Sequence, residues 1–528
     1  MVRLLSTLAA SLFAVSVAAH DDDAGSKGAQ KLGKVNFASS CSAKVQPKVQ
    51  RAVAMLHSFW FPQGEREFQE IAEVDPDCAA IAAWGFASIL MNNPFVGLVP
   101  PKEVERAQGA IAKGRQTGAK TQREKDYLEA VAAYWDDFAI RTQSDRALAR
   151  SRAYQALALK YPKDDEAQIF NALYLIAIQQ ASDQTYSNSL KAATILEKQF
   201  AKYPGHPGVA HYLIHAYDAP PMAQKGVSAA RRYASIAPDA PHALHMPSHI
   251  FTRVGAWPDS AATNRRSADV ALKTKEGDDA LHALDYVVYA YLQLARDSDA
   301  RKSYEEAARI SPSTPRFIGP YPLAAMPARL AIERGAWREA AQLQPLQSKF
   351  PFTEALTHQA RAIGAARTGD AAAAKADVEK IAEKRDALRA AQNDYWATEV
   401  EVMRLGAAAW TALAEDRGDE ALGLMRQAAD MEDKNEKHPV TPGRLLPARE
   451  LLGDMLMEMK RPADALKEYE QSQKREPDRF RGLYGAALAA EMAGEARSAR
   501  RYYGRLVQIA GKGEPRAELQ LARAYLSQ

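Results

Sequence analysis

A 34-residue periodicity near the C-terminus limits what this chain can fold into more than any other feature. Leu452, Gly453, Leu456, Ala465, Tyr469 and Pro477 have the spacing of one helix-turn-helix unit, with small residues where the two helices cross. A shift of 34 residues lands on Ala486, Ala487, Ala490, Ala499 and Tyr503, with Gly494 at the turn. Gly64, Phe68, Ile71 and Pro76 fit the second helix of a similar unit, and Ala192, Leu196 and Pro204 fit another. The phrases MPSHIFTRVGAW (246–257) and MPARLAIERGAW (326–337) repeat Met, Pro, Gly, Ala and Trp in register, which indicates internal duplication. Such units cannot bury their apolar faces alone and must stack, so the expected fold is an all-α superhelical solenoid. Runs of alternating β-branched residues are absent, in keeping with that reading.

A stacked solenoid accommodates 528 residues without one oversized core, and 47% hydrophobic with 25% charged residues is ordinary for a folded chain. Residues 1–19 place one Arg before a short apolar run that ends in small residues, the pattern of a secretory signal cleaved after Ala19. Residues 20–40 begin with a polar, Gly-bearing stretch and are expected to form a tether. The folded part is expected to divide into 41–312 and 313–528, with Pro- and Gly-bearing breaks at 92–103, 311–322 and 437–447 marking bends or joints. No other segment has the length of apolar sequence that spans a bilayer. The mature protein is therefore expected to be periplasmic or secreted. A net charge of +4 spread among mixed signs disfavours nucleic acid as a partner. In an oxidising compartment the two cysteines, Cys41 and Cys78, are expected to pair, since both fall at similar helix-start positions.

Chemistry concentrates in one stretch. Of eleven histidines, seven lie between residues 206 and 282. Counted from the proline that opens each unit, His211 and His215 take the fifth and ninth places of one repeat, and His245 and His249 take the same places of the next. His242 takes the second place, and His282, Asp285 and Tyr289 take the second, fifth and ninth places of a third repeat, while Asp218 takes the twelfth of the first. At about 100° per residue these places form one helix stripe, and the fourth, seventh, eighth and eleventh form a largely apolar stripe that packs inward. The polar stripe is expected to face the concave groove of the solenoid. Pro247 removes an amide in mid-helix and predicts a break between His245 and His249, with Pro327 at the equivalent place of the duplicated phrase.

Two i,i+4 histidine pairs with carboxylates nearby suit zinc or copper, with His211, His215, Asp218, His245 and His249 as ligands. The competing reading is that groove histidines hydrogen-bond one another, the carboxylates and solvent. His57, His206, Arg329 and Glu450 join His242, His282, Asp285 and Tyr289 as candidate ligand-binding positions. No HExxH, GxSxG, P-loop or Rossmann glycine pattern is present, and acid-base chemistry by Asp218, Asp285 or a neighbouring His has little specific support.

The segments CSAKVQPKVQRAVAMLHSFWF (41–61), HPGVAHYLIHAYDAP (206–220), HALHMPSHIFTRVGAW (242–257) and HPVTPGRLLPARELLGD (438–454) resemble a group of exported bacterial tetratricopeptide-repeat proteins. The resemblance spans nearly the whole chain beyond the signal; AAIAAWG departs from it by lacking an aromatic before Trp84. It implies a tetratricopeptide-repeat solenoid and singles out His57, Cys78, His206, His211, His215, Asp218, His242, His245, His249, His282 and Glu450, without implying a reaction. The primary expectation is a scaffold that binds a peptide, a protein partner or a small ligand in a histidine-rich groove. A metal-binding protein or metalloenzyme is the alternative.

Overall fold

The computed structural model describes residues 30–97, 99–314 and 316–528. The expected signal segment lies outside the described residues. Among the described residues there are helices and no strands, and successive helices pack as antiparallel pairs that stack in chain order into a tetratricopeptide-type solenoid. The crossing positions show why small residues recur. A Cβ on Gly453 would sit 2.7 Å from the Tyr469 ring, and one on Gly485 in the following repeat would sit 2.3 Å from it, so Tyr469 fills the notch these two glycines leave. The turn inside many pairs needs a residue in the left-handed region, supplied by Gly255, Gly335 and Gly494 and, elsewhere, by Ala295, Asp416 and Lys460.

Pro247 acts as the sequence indicates: one helix runs Pro241–His245, and a second begins at Pro247 and ends at Arg253. Its counterpart Pro327 stays inside one continuous helix, Pro320–Ile332. Cys41 and Cys78 form a disulfide with 4.9 Å between their Cα atoms, tying the entry of the first helix to the short 3-10 turn before Ala79–Leu90.

Two expectations are corrected. Residues 30–40 are not a tether. Leu32 and Phe37 are buried, Phe37 stacks on Trp84 at 4.8 Å between ring centroids, and the Lys34 amide donates to the Gly205 carbonyl at 3.0 Å. Two apolar side chains with partners suffice to order a segment whose composition is otherwise polar.

The break at 437–447 is not a joint, and the groove is not open. Residues 435–446 form a strap through the concave side of the superhelix, and most of its side chains are buried. The Glu436 amide donates to Ala181, Arg253 pairs with Glu436 at 3.3 Å, and Tyr286 donates to the Thr441 carbonyl at 3.1 Å. Arg329 donates to the Gly443 and Arg444 carbonyls at 2.8 and 2.7 Å. The groove face therefore meets the chain itself. A strap without regular structure leaves its carbonyls unpaired, and buried carbonyls need donors; Tyr286 and Arg329 supply them.

The superhelix also closes on itself. Trp257 donates to the Asp478 carbonyl at 2.7 Å, the Phe480 amide to Gln293 at 2.9 Å, and Arg516 pairs with Asp297. One apolar cluster runs from Leu32 to Phe251 and another from Ala295 to Ala522, with Leu284, Val288, Met326 and Leu330 packed between them.

Removing the bridge as Cys41→Ser with Cys78→Ser reopens a 37-residue separation in the unfolded chain, and the loop-entropy account predicts a loss of about 3–4 kcal/mol. Thermal unfolding followed by circular dichroism checks this; an unchanged melting temperature contradicts it.

Candidate functional site

The helix Pro207–Tyr217 carries His211 and His215 one turn apart on one face, and the broken pair Pro241–His245 and Pro247–Arg253 carries His245 and His249 in the same register. Neighbouring helices of the stack are offset so that the second-place histidine of each following repeat joins the fifth and ninth of the repeat before. Two triads result: His211 with His215 and His242, and His245 with His249 and His282. In each, one nitrogen per ring lies within 4.8 Å of the others. The triads adjoin, with 5.9 Å between the His215 and His249 ring centroids and 5.9 Å between those of His242 and His245. His211, His245, His249 and His282 are buried, while His215 and His242 are partly so.

Hydrogen bonds set the tautomers. His211 Nδ1 donates to the His57 carbonyl at 2.7 Å, which leaves a lone pair on Nε2; that atom lies 3.1 Å from His215 Nε2 and 3.2 Å from His242 Nε2. In the second triad the constraint is tighter. The Asn264 amide nitrogen donates to the Ser260 carbonyl at 2.8 Å, so its oxygen faces His245 Nδ1 at 2.7 Å and accepts from it. Asp218 accepts from His249 Nδ1 at 2.9 Å. Both remaining nitrogens are then unprotonated, and His245 Nε2 and His249 Nε2 face each other at 2.9 Å. Tyr286 offers no proton between them, since its hydroxyl donates to Thr441. Burial, followed by the neighbouring imidazoles His282 and His249, holds His245 well below its ordinary value, and burial lowers His249 despite Asp218. A carboxylate, an amide or a backbone carbonyl on the far nitrogen is the arrangement that orients a metal-ligating imidazole.

Asp218, expected as a metal ligand, instead reaches the triads only through the far nitrogen of His249. It caps the Pro207–Tyr217 helix end and is shared by His249, Arg253 at 2.8 Å and Lys437 at 3.4 Å. A third group, His57 with Glu166 and His206, has a glutamate in place of one histidine and a closed set of bonds. His57 Nε2 and His206 Nε2 donate to the two Glu166 oxygens at 2.8 and 2.9 Å, Tyr212 donates to His57 Nδ1 at 2.9 Å, and the Val209 amide donates to His206 Nδ1 at 3.3 Å. Every ring nitrogen there has a hydrogen-bond partner, and although burial would raise the Glu166 carboxyl, His206 and His57 hold it well below its usual range. This network fixes the His57 carbonyl that orients His211.

A cavity of about 130 Å³ opens onto His215, His242, His249 and His282 and is walled by Phe59, Asn93, Asp279 and Arg316. A second, of about 420 Å³, meets it at His215.

The remaining predicted positions lie elsewhere. Asp285 faces Arg329 at 3.4 Å, and Tyr289 lies 4.6 Å beneath the Arg329 guanidinium and hydrogen-bonds Arg479; these residues hold the strap and the C-terminal repeat rather than line the histidine cavity. Glu450 shares Arg479 with Glu333, each at 2.8 Å. Sequence reasoning missed Glu166, Asn264, Tyr286 and Lys437. Asn264 comes from the second helix of its pair and Lys437 from the strap, Glu166 lies in the first turn of the helix Asp165–Ala177, and Tyr286 lies one place off the polar stripe of the helix that carries His282.

Neither a protein-family model nor a curated protein matches the chain. Solved structures with similar helical arrangements include the anaphase-promoting complex hetero-tetramer Cut9-Hcn1, at 11% identity and a TM-score of 0.29 over 92% of this chain and 96% of that one. A monomeric mutant of IFIT1 with m7Gppp-AAAA matches at 11% identity and a TM-score of 0.36, over 82% of this chain and 90% of that one. At such scores the likeness bears on neither site nor partner.

Glu450 is held up at about 7 by burial, against the pull of Arg479 and with Glu333 and Glu476 adding to the rise from 4.5. The folded chain keeps that proton between the two values, so stability falls as pH rises through this window. Glu450→Gln is expected to raise stability at about pH 8 by on the order of 1–3 kcal/mol and to change it little near pH 5. Melting temperatures at both pH values check this, and a loss at the higher pH contradicts it.

Proposed function

We propose that this chain is a metalloprotein that holds two divalent ions, zinc or copper, side by side in its histidine triads. The opposed lone pairs of His245 and His249 carry the reading. Two unprotonated nitrogens 2.9 Å apart repel unless a cation lies between them and a third donor, and His282 supplies that donor, its ring centroid 4.2 Å from that of His245. All-imidazole donor sets suit zinc and copper, and three protein ligands leave a coordination position free. The 130 Å³ cavity borders both triads and gives that position access to a small ligand. A bound ion would supply Lewis-acid activation of water or of an oxygen-bearing ligand. The residues around it do distinct work: Asp218, Asn264 and the His57 carbonyl fix ring orientation, and Tyr286 and the strap exclude water.

The peptide-scaffold reading finds less support, since the strap 435–446 occupies the face a peptide would use. Export to the periplasm belongs to the same proposal, and the Cys41–Cys78 bridge favours an oxidising compartment.

Calorimetric titration of the metal-stripped protein with zinc or copper is expected to show two equivalents bound. His245→Ala should remove one, and His215→Ala with His249→Ala, which takes a ligand from each triad, should remove both. Each lost site should weaken by more than about 100-fold, whereas Asp218→Asn, which disturbs orientation alone, should weaken one site by about 10–100-fold. His358→Ala, whose imidazole pairs with Asp377 away from the cluster, should bind as the native protein does. Affinity should fall only as pH drops well below the ordinary imidazole value of about 6.5, because burial disfavours protonation of the same lone pairs. Equally weak binding by the native protein and the double variant rejects the metal site.

A further inference from the structure

The pocket of about 420 Å³ that meets the histidine cavity is large enough for a small organic molecule, for which about 300–1,000 Å³ is usual. Its walls are aromatic: Phe95, Phe317, Phe350, Phe352, Tyr395 and Trp396. Phe352 and Trp396 stack at 3.9 Å with 3° between their planes, and His438 of the strap continues the stack at 5.2 Å from Trp396. Rings locked against one another keep their shape, so the pocket is preformed. Gln180 is exposed at its outer end, and His215, Asp218 and Lys437 close its inner end. His215 and Phe95 line this pocket and the histidine cavity alike, with their ring centroids 4.3 Å apart.

Charge at the inner end decides the polarity of the ligand. The two carboxylates there are already committed: Asp218 to Arg253 and Lys437, and Glu436 to Arg253 and Arg475. With Glu476 also facing Arg253, three carboxylates balance the three cations, and among the described residues Lys437 is the one cation that lines the pocket itself. An aromatic box with a free carboxylate would suit a quaternary ammonium ion; this one has its acids neutralised and a lysine facing inward.

We propose that this pocket binds an aromatic carboxylate or phenolate, with its ring among Phe352, Trp396 and Phe350 and its oxyanion at Lys437 and the metal-facing side of His215. The aromatic part of the assignment stands on the pocket alone; the contact with an ion rests on the metal reading above.

The test is isothermal titration of the native chain, metal-free and zinc-loaded, with benzoate, cyclohexanecarboxylate and benzyltrimethylammonium, each followed also by quenching of tryptophan fluorescence. Benzoate is expected to bind metal-free protein at least tenfold more tightly than either comparison compound, and zinc loading is expected to tighten it further. Phe350→Ala, a partly exposed position that leaves the core intact, and Trp396→Ala should each weaken benzoate at least tenfold without altering zinc stoichiometry. Equal binding of benzoate and cyclohexanecarboxylate, preference for the ammonium compound, or an unchanged benzoate affinity in Phe350→Ala overturns the proposal. Zinc failing to bind while benzoate still binds selectively overturns the metal reading and leaves the aromatic-anion pocket supported.

Discussion

Two imidazole nitrogens that cannot both be protonated face each other in the middle of this protein, and much of the surrounding structure serves to keep them so. Asn264 is held by Ser260 so that only its oxygen reaches His245, and Asp218 is held by Arg253 and Lys437 so that it accepts from His249. Rotating either ring would break a short buried hydrogen bond and leave its partner unsatisfied, at a cost of about 1–3 kcal/mol for each group stranded. The contrast with His57, Glu166 and His206 is instructive. There a glutamate stands between two histidines at similar distances, every nitrogen has a hydrogen-bond partner, and no ion is called for.

A repeat solenoid ordinarily leaves its concave face to solvent or a partner. Here residues 435–446 lie on that face, and the superhelix is wound tightly enough for the C-terminal repeat to reach Trp257 and Gln293. The places of the repeat that supply histidines in two units supply Asp285, Tyr289 and Arg329 further along, where they clamp the strap instead. One register thus does two jobs: it gathers nitrogen donors in the early repeats and clamps the strap in the later ones. The aromatic pocket is a product of the same arrangement, since His438 on the strap completes a wall begun by Phe352 and Trp396.

How much of this could be read from the residues follows from what a period can and cannot encode. Tyr469 over Gly453 and Gly485 was legible because the repeat places small residues at fixed spacing. The histidine stripe was legible for the same reason, down to the break at Pro247. Its division into two triads was not, because a stripe describes one helix and the grouping depends on the offset between neighbouring helices, which brings His242 to His211 and His282 to His245. The strap escaped because a Pro- and Gly-bearing stretch has no period, and its contacts lie with residues such as Ala181 and Tyr286 that are far away in sequence. Residues 30–40 were misjudged because two buried side chains, Leu32 and Phe37, outweigh a polar composition.

The most direct test of the central claim is anomalous diffraction from crystals of the protein soaked in zinc or copper, with data collected on either side of the absorption edge. Two anomalous peaks are expected, one bounded by His211, His215 and His242 and the other by His245, His249 and His282, with Asp218 and Asn264 still bonded to the Nδ1 atoms of His249 and His245. A map with no peak at either triad, and with His245 or His249 turned so that a proton bridges the pair, would contradict the account.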